Sequence, residues 1–365
     1  MAITDLPGLT YTRTGAATAW RGDGTLAEFA PNIPRITDAG IMIEGQRTNL
    51  FARWDPTAAQ IATKTNCTDV AAPAVAPLAG RNWIALDNSS ADAYAYHDAA
   101  VPAVSTVTMS VFVETEDGSQ PVGGGTSSAV DFSFIASANG ASILYPVFTY
   151  RHVIGNVWLV TGRGTTVDAY LTRAGIRRVV SNNTRPLKFS GFQLEQASTP
   201  SSPIITTGAA ATRGADNLPL AHAPGQSWTI YTSAKSPDET KGKYVVSVSA
   251  WTGTPNAVIA WRSGDGSTFS VAARKDAAVV VQRATPYLGG EACRVAISYS
   301  PDRIAFAVNG SQVVEMPLTA PLGIEFDRIL LGNIGIVSAI WGAPISSTVL
   351  FPYAVTDAEL MRLTL

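Results

Sequence analysis

Apolar residues recur at every second position along most of this chain, and the spacing of three to four that marks a helix is nearly absent. Val107, Met109, Val111 and Val113 alternate with Thr108, Ser110, Phe112 and Glu114, the pattern of a strand with one buried face. Asp131-Phe132-Ser133-Phe134 repeats it on a shorter scale. Clusters of Gly, Pro, Asn and Ser separate these runs, which predicts an all-β chain of antiparallel sandwiches. The sharpest turn signal is Asn309-Gly310. Ile304, Phe306 and Val308 alternate before it, and Val313 and Val314 resume the apolar pattern after it. A type I′ hairpin needs positive φ at two successive residues, which Asn-Gly supplies. Thr356 followed by Glu359 reads as a capping box and predicts one short terminal helix.

The same pattern sets the expected domains. At 365 residues the chain can bury roughly three-quarters of its unfolded surface, enough for two cores. The expectation is two tandem antiparallel β-sandwiches (jelly rolls), at 53–208 and 219–365, joined by a linker at 209–218 and preceded by a short extended N-terminal arm at 1–52. In the arm, Gly22-Asp23-Gly24-Thr25 reads as a tight turn and Pro31-Asn32-Ile33-Pro34-Arg35 as an extended strap. A segment so short and proline-punctuated cannot build its own core, so it lies on a neighbouring domain or on another subunit. Gly208-Ala209-Ala210-Ala211 has the composition of a loose joint.

Two polar knots interrupt the apolar pattern. One is Ile43-Glu44-Gly45-Gln46-Arg47-Thr48-Asn49-Leu50. The other runs through Gln193-Leu194-Glu195, Thr199-Pro200, Ile204-Ile205-Thr206-Thr207 and Thr212-Arg213. Together they resemble the entry and exit of a carbohydrate-binding-module-like β-sandwich in a family of bacteriophage and gene-transfer-agent virion proteins. The resemblance covers roughly the first 215 residues. The block around Asn309-Gly310, with Trp341-Gly342-Ala343-Pro344-Ile345 and the terminal helix, looks like a concanavalin-A-like (laminin-G-like) jelly roll. These resemblances imply a virion adhesion protein, of head spike fibre or tail fibre type. It would be made in a bacterial cytoplasm, be exposed on the particle, and be mounted on other virion proteins through the N-terminal arm. Fibres of this kind usually form homo-oligomers, in which several weak sites gain from effective concentration.

Composition removes several alternatives. Only 15% of residues are charged, and 26 basic side chains meet 28 acidic ones, so there is no basic footprint of the kind nucleic acid requires. Arg177-Arg178 is an adjacent basic pair, read as a solvated strand edge. No apolar run reaches the 18 residues of a membrane span. Cys67 and Cys293 are read as reduced small hydrophobes. His97, His152 and His222 have no metal-ligand spacing, so neither metal nor cofactor is expected. No nucleophile elbow is present. Glu114, Glu116, Asp117, Asp265 and Glu291 are available for glycoside hydrolysis, which needs only two carboxylates, but a capsule depolymerase is the weaker reading. The chain is expected not to be an enzyme.

Sugar binding makes better use of the residues present, because sugars lay their C–H faces on exposed rings while planar polar groups take the hydroxyls. Trp251 shares a strand face with Ser247 and Ser249, opposite Tyr244, Val246, Val248 and Ala250. Tyr231 falls with Thr229 and Ser233, and Arg274 falls opposite Phe269, Val271 and Ala273. Tyr231, Trp251 and Arg274 are therefore the expected carbohydrate platform of the second sandwich, the alternative being contact with a neighbouring domain or subunit. In the first sandwich Asp92, Tyr94, Tyr96 and Asp98 share one face, with Tyr94 and Tyr96 as candidate sugar contacts. Trp228, Trp261 and Trp341 are assigned to the core. The expected ligand is host capsular polysaccharide or another surface glycan; the competing class is a purely structural capsid or tail decoration protein.

Overall fold

A computed structural model describes residues 10–87, 92–101, 105–124, 130–138, 141–144, 147–165, 171–179, 185–236, 242–251, 255–287, 292–332 and 340–365. Among the described residues the chain is almost entirely β: its sheets are antiparallel and the one α-helix, Asp357–Thr364, is short. It divides into two compact units. One comprises residues 16–29 and 47–213; the other comprises 1–15, 30–46 and 214–365.

In the 47–213 unit a six-stranded sheet faces a five-stranded one. The six-stranded sheet is centred on Thr106–Thr115, between Val157–Thr165 and Leu187–Glu195. In the five-stranded sheet Leu171–Val179 lies between Ser133–Ala138 and Asp92–Val101. Val107, Met109, Val111 and Val113 point into the shared core with Ala93, Ala95, Phe134, Ile176 and Phe189, as alternation requires. The other face of Thr106–Thr115 is not solvated. Phe112 is buried there with Trp54, Trp83 and Leu26, in a second apolar cluster that also takes in Trp20. Leu26 and Trp20 come from a hairpin, Ala17–Trp20 paired with Leu26–Phe29. Part of the expected arm thus serves as a cover for this sandwich.

The 214–365 unit is a six-stranded sheet against a seven-stranded sheet. Val246, Val248, Val258, Phe269 and Val271 from one meet Trp228, Ile230, Val295, Ile297 and Phe306 from the other. Asn309 and Gly310 both have positive φ, 47° and 71°, and join Arg303–Val308 to Val314–Pro317. Thr356 caps the terminal helix by accepting the Glu359 amide at 3.3 Å, while the Glu359 side chain turns to Arg362. Half of the expected capping box is therefore formed. Cys293 lies in this core, and its burial pushes the thiol up to about 12.

Other described residues of the arm are also structural. Gly40–Ile43 pairs with Ala343–Phe351, extending the seven-stranded sheet, and Ile41 and Ile43 are core residues. The reason is electrostatic as well as apolar. Asp216 is wholly buried and accepts from Arg35, Arg13, the Tyr11 hydroxyl and the Glu44 amide (2.7 Å), while Arg35 also binds Glu44. Burial alone would lower the Arg35 guanidinium, but the Glu44 and Asp216 carboxylates outweigh it and hold it above its ordinary value. Burial, reinforced by Asp216, pushes the Tyr11 phenol up. Within the stretch read as a linker, Ala211–Arg213 pairs with Arg47–Asn49, and the Asp216 amide donates to the Glu44 carbonyl at 2.9 Å.

The end of the first knot and the start of the second have a similar explanation. Asn49 is fully buried; its amide donates to the carbonyls of Phe192 (3.1 Å) and Ile204 (3.0 Å), and its Oδ1 accepts from the amides of Phe51 and Leu194 (3.1 Å each). All four bonds available to an asparagine amide are made. Gln193 reaches Glu195 (2.9 Å) and the Ile204 amide (2.6 Å), and Glu195 accepts from the Ser201 amide (2.8 Å) and hydroxyl (2.6 Å). Glu195 is thus paired locally.

Two outcomes follow. Asp216→Asn removes a buried partner from two guanidiniums and is expected to cost about 3–5 kcal/mol in thermal or urea unfolding; an effect below 1 kcal/mol would contradict the cluster's role. His97 is buried beside Phe51 and Phe192, and desolvation lowers it from 6.5 to about 4. Between those values the unfolded chain binds the extra proton, so stability falls as pH drops from 6.5 towards 4, by about 3 kcal/mol. His97→Phe is expected to flatten that slope in pH-dependent denaturation; an unchanged slope would place its origin elsewhere.

Candidate functional site

Tyr94 and Tyr96 stand two residues apart on Asp92–Val101, whose alternate residues Ala93, Ala95, Ala99 and Val101 fill the core. Alternation turns both rings to the outer face of the five-stranded sheet, half-buried. There they stack on each other, with centroids 4.8 Å apart and planes 16° from parallel. Thr63 and Thr65 lie opposite Tyr96 and Tyr94 on one side, Gly175 and Arg177 on the other. Gly175 adds nothing to the row beside Tyr96, and a Cβ there would fall 2.0 Å from the Ala95 carbonyl oxygen. The floor next to the ring is bare backbone.

Arg177 makes a bidentate clamp on Asp92, Nε to Oδ1 at 2.8 Å and Nη2 to Oδ2 at 3.1 Å. The hydrogen bond that Arg177 donates to Asp92, against the opposing pull of burial, raises its guanidinium. Both side chains are about a third or more exposed, 32% and 41%, so the pair contributes at most about 1 kcal/mol to folding. Its main effect is to fix a planar donor group and a carboxylate beside two aligned rings. Such a row can take the apolar face of a pyranose and bond its hydroxyls.

The expected partner residues here, Tyr94 and Tyr96, are brought together. Arg177, Gly175 and the two threonines are additions that periodicity did not single out. The signal for Arg177 was the Arg177-Arg178 pair, but not as a solvated edge: Leu171–Val179 is an interior strand of its sheet. Arg177 faces Asp92, while Arg178 is buried, donates to the Arg185 carbonyl at 2.7 Å and is lowered by desolvation.

The expected platform of the second sandwich is not a single surface. Tyr231 belongs to the seven-stranded sheet, whereas Trp251 and Arg274 belong to the six-stranded sheet across the core. Tyr231 does turn from the core, but it packs against Ala296, Ala305, Val355 and Leu360, beside the terminal helix. Alternation gives the face of a side chain and not what covers that face. Trp251 ends its strand opposite Pro255; its side chain lies outside the described residues. Arg274, half-buried, aligns through Ala257 with Ser249. Tyr244 and Trp261 share this same outer face, 5.9 Å apart over Ala257, Ile259 and Ala272. Trp261 is therefore not a core residue, unlike Trp228 and Trp341, which are fully buried in it. Tyr244 is displaced by a register shift before Val246, which turns both Val245 and Val246 inward.

Several carboxylates considered for glycoside hydrolysis are engaged in local structure. Glu114 pairs with Lys188 at 2.6 Å, and Asp117 binds Ser119 and Arg185. Hydrogen bonds from Ser263 first, then from Ser267, lower Asp265 to about 2. Glu291 lies outside the described residues. Among the described residues no three metal-ligating side chains converge.

No protein-family model and no curated protein matches the chain. Among solved structures it is similar to the carbohydrate-binding module (CBM40) of the IT-sialidase of Ruminococcus gnavus, bound to α2,3-sialyllactose. The two are 18% identical over 38% of this chain and 83% of that one, with a TM-score of 0.34. A Streptococcus pneumoniae sialidase matches at 18% identity over 39% of this chain and 24% of its own, TM-score 0.34. A pentraxin of Limulus polyphemus matches at 15% over 38% and 70%, TM-score 0.31. These are distant, partial likenesses in fold and carry no ligand or activity to this chain.

Gly175→Ala is expected to destabilise the protein by about 1–3 kcal/mol, because the neighbouring strand has to move. Unchanged thermal unfolding would show that the close approach beside Tyr96 is absent.

Proposed function

We propose that the chain is a virion adhesion protein, of head spike fibre or tail fibre type, which binds host surface polysaccharide such as capsule without chemistry. The observation that carries the binding reading is the stacked Tyr94–Tyr96 pair on the outer sheet face, half-buried and flanked by the fixed Arg177–Asp92 clamp. A shallow row on an open sheet suits one or two sugar units of a long polymer, and affinity would then come from several copies acting together, in a homo-oligomer. The virion placement is supported by the two polar knots alone. For mounting on other virion proteins, Ile33 and Ile36 are apolar and about half exposed at the edge of the seven-stranded sheet, chemistry that suits a protein contact.

A glycan array followed by capsule pull-down tests the reading. Tyr94→Ala and Tyr96→Ala are each expected to weaken binding about tenfold, the loss of one ring contact of about 1–1.5 kcal/mol, with thermal unfolding near wild type. Equal capture by the folded double variant would remove this face from the function. Shortening of capsule chains on incubation with the protein would make it an enzyme instead.

A further inference from the structure

The hairpin that covers the 47–213 sandwich forms more than a lid for Phe112. Its turn closes through Arg21 N to the Thr25 carbonyl (2.8 Å) and Gly24 N to the Arg21 carbonyl (3.1 Å). Gly24 has φ +84°, and a Cβ there would lie 2.0 Å from the Val153 carbonyl oxygen. The turn is therefore pressed, backbone to backbone, onto the end of Val147–Ile154, in an approach only glycine permits. The two segments flank an open surface hollow of about 230 Å³ lined by Trp20, Arg21, Asp23, Arg151 and His152. That is below the roughly 300–1,000 Å³ of sites that hold whole small molecules, so it suits one ring of a larger chain.

The chemistry of the lining is mixed but biased. The guanidinium carbon of Arg151 lies 4.0 Å over the Trp20 ring, and Trp20 is itself set edge-on against Phe112 at 5.9 Å. A guanidinium held flat on an indole has fewer orientations to lose when it meets a planar anion. Arg21 is steadied from the other side by Thr25 Oγ1 at 3.2 Å. Asp23 receives the Thr25 hydroxyl (2.7 Å) and amide (2.8 Å), both on Oδ1, and these bonds lower its carboxyl and keep it charged. Among the described residues no hydrogen bond is placed on its Oδ2. His152 is occupied by the Gly155 carbonyl at 2.7 Å and by Trp158. Two cations thus outnumber one anion in a chain whose net charge is −2.

We infer that this hollow is a second glycan subsite, selective for a sugar carrying a carboxylate. Arg21 and Arg151 receive the carboxylate, and Asp23 Oδ2 accepts a ring hydroxyl. The inference rests on the reading of the chain as a glycan binder but not on Tyr94 or Tyr96. The test uses the full chain and a panel of uronic- and sialic-acid oligosaccharides, each with its carboxyl-reduced, neutral counterpart, in titration calorimetry. Acidic members are expected to bind at least tenfold tighter than their reduced forms, with the preference fading in 1 M salt. Arg151→Gln, with unchanged thermal unfolding, is expected to abolish the preference, whereas Tyr96→Ala weakens acidic and neutral members alike. A folded Arg151→Gln that keeps the preference, or a panel in which acidic and reduced forms bind equally or not at all, overturns the subsite. Loss of binding with Tyr94→Ala or Tyr96→Ala bears only on the other face.

Discussion

A buried carboxylate, Asp216, organises the 214–365 unit. Two guanidiniums, a phenol and a backbone amide converge on it from Arg13, Arg35, Tyr11 and Glu44, which lie some 170 to 205 positions away in sequence. An isolated charge in that position would cost many kcal/mol, and it is tolerable only because every partner is present at once. That requirement makes the N-terminal residues obligatory members of a jelly roll formed mostly from the far end of the chain. Strand Gly40–Ile43 follows from it: once Arg35 and Glu44 are fixed, the residues between them can only extend the sheet beside Ala343–Phe351, with Ile41 and Ile43 inward.

Asn49 does for the 47–213 unit what Asp216 does for the other, with neutral groups. One amide ties the backbone at Phe51, Phe192, Leu194 and Ile204, so the entry and exit of the sandwich are knitted at a single side chain. The two polar knots of the sequence are in this sense interior carpentry. Glu44, Asn49, Gln193 and Glu195 are all buried. The surfaces available to a ligand are elsewhere, on sheet faces and hairpin turns whose residues make no sequence motif.

Much of the fold was legible in the sequence because a strand obeys a period of two. The inward sets of Thr106–Thr115, Lys243–Trp251 from Val246 onward and Arg303–Val308 follow from alternation alone, and Asn309-Gly310 turns as its chemistry requires. The failures are equally physical. Tyr244 and Trp261 were misplaced, the first by a bulge and the second because Ile259 and Ala257 are buried on an outer face. Arm and linker looked loose because proline, glycine and alanine were visible, whereas the partners of Asp216 lie 172 to 205 positions away in sequence. The candidate site was half legible. Tyr94 and Tyr96 announce themselves by spacing, but the neighbours that make them a site, Arg177 and Gly175, depend on strand register. Tyr231 was turned outward correctly and is nonetheless covered.

If the knots are interior supports, the amides bonded to them belong to the most protected parts of the molecule. Hydrogen–deuterium exchange of the full chain, read at the amides of Glu44, Phe51 and Leu194, measures this directly. The account expects them to exchange as slowly as the core strand residues Val111 and Ile297. Exchange at the rate of exposed turns, such as the amides of Thr25 and Ser267, would contradict it.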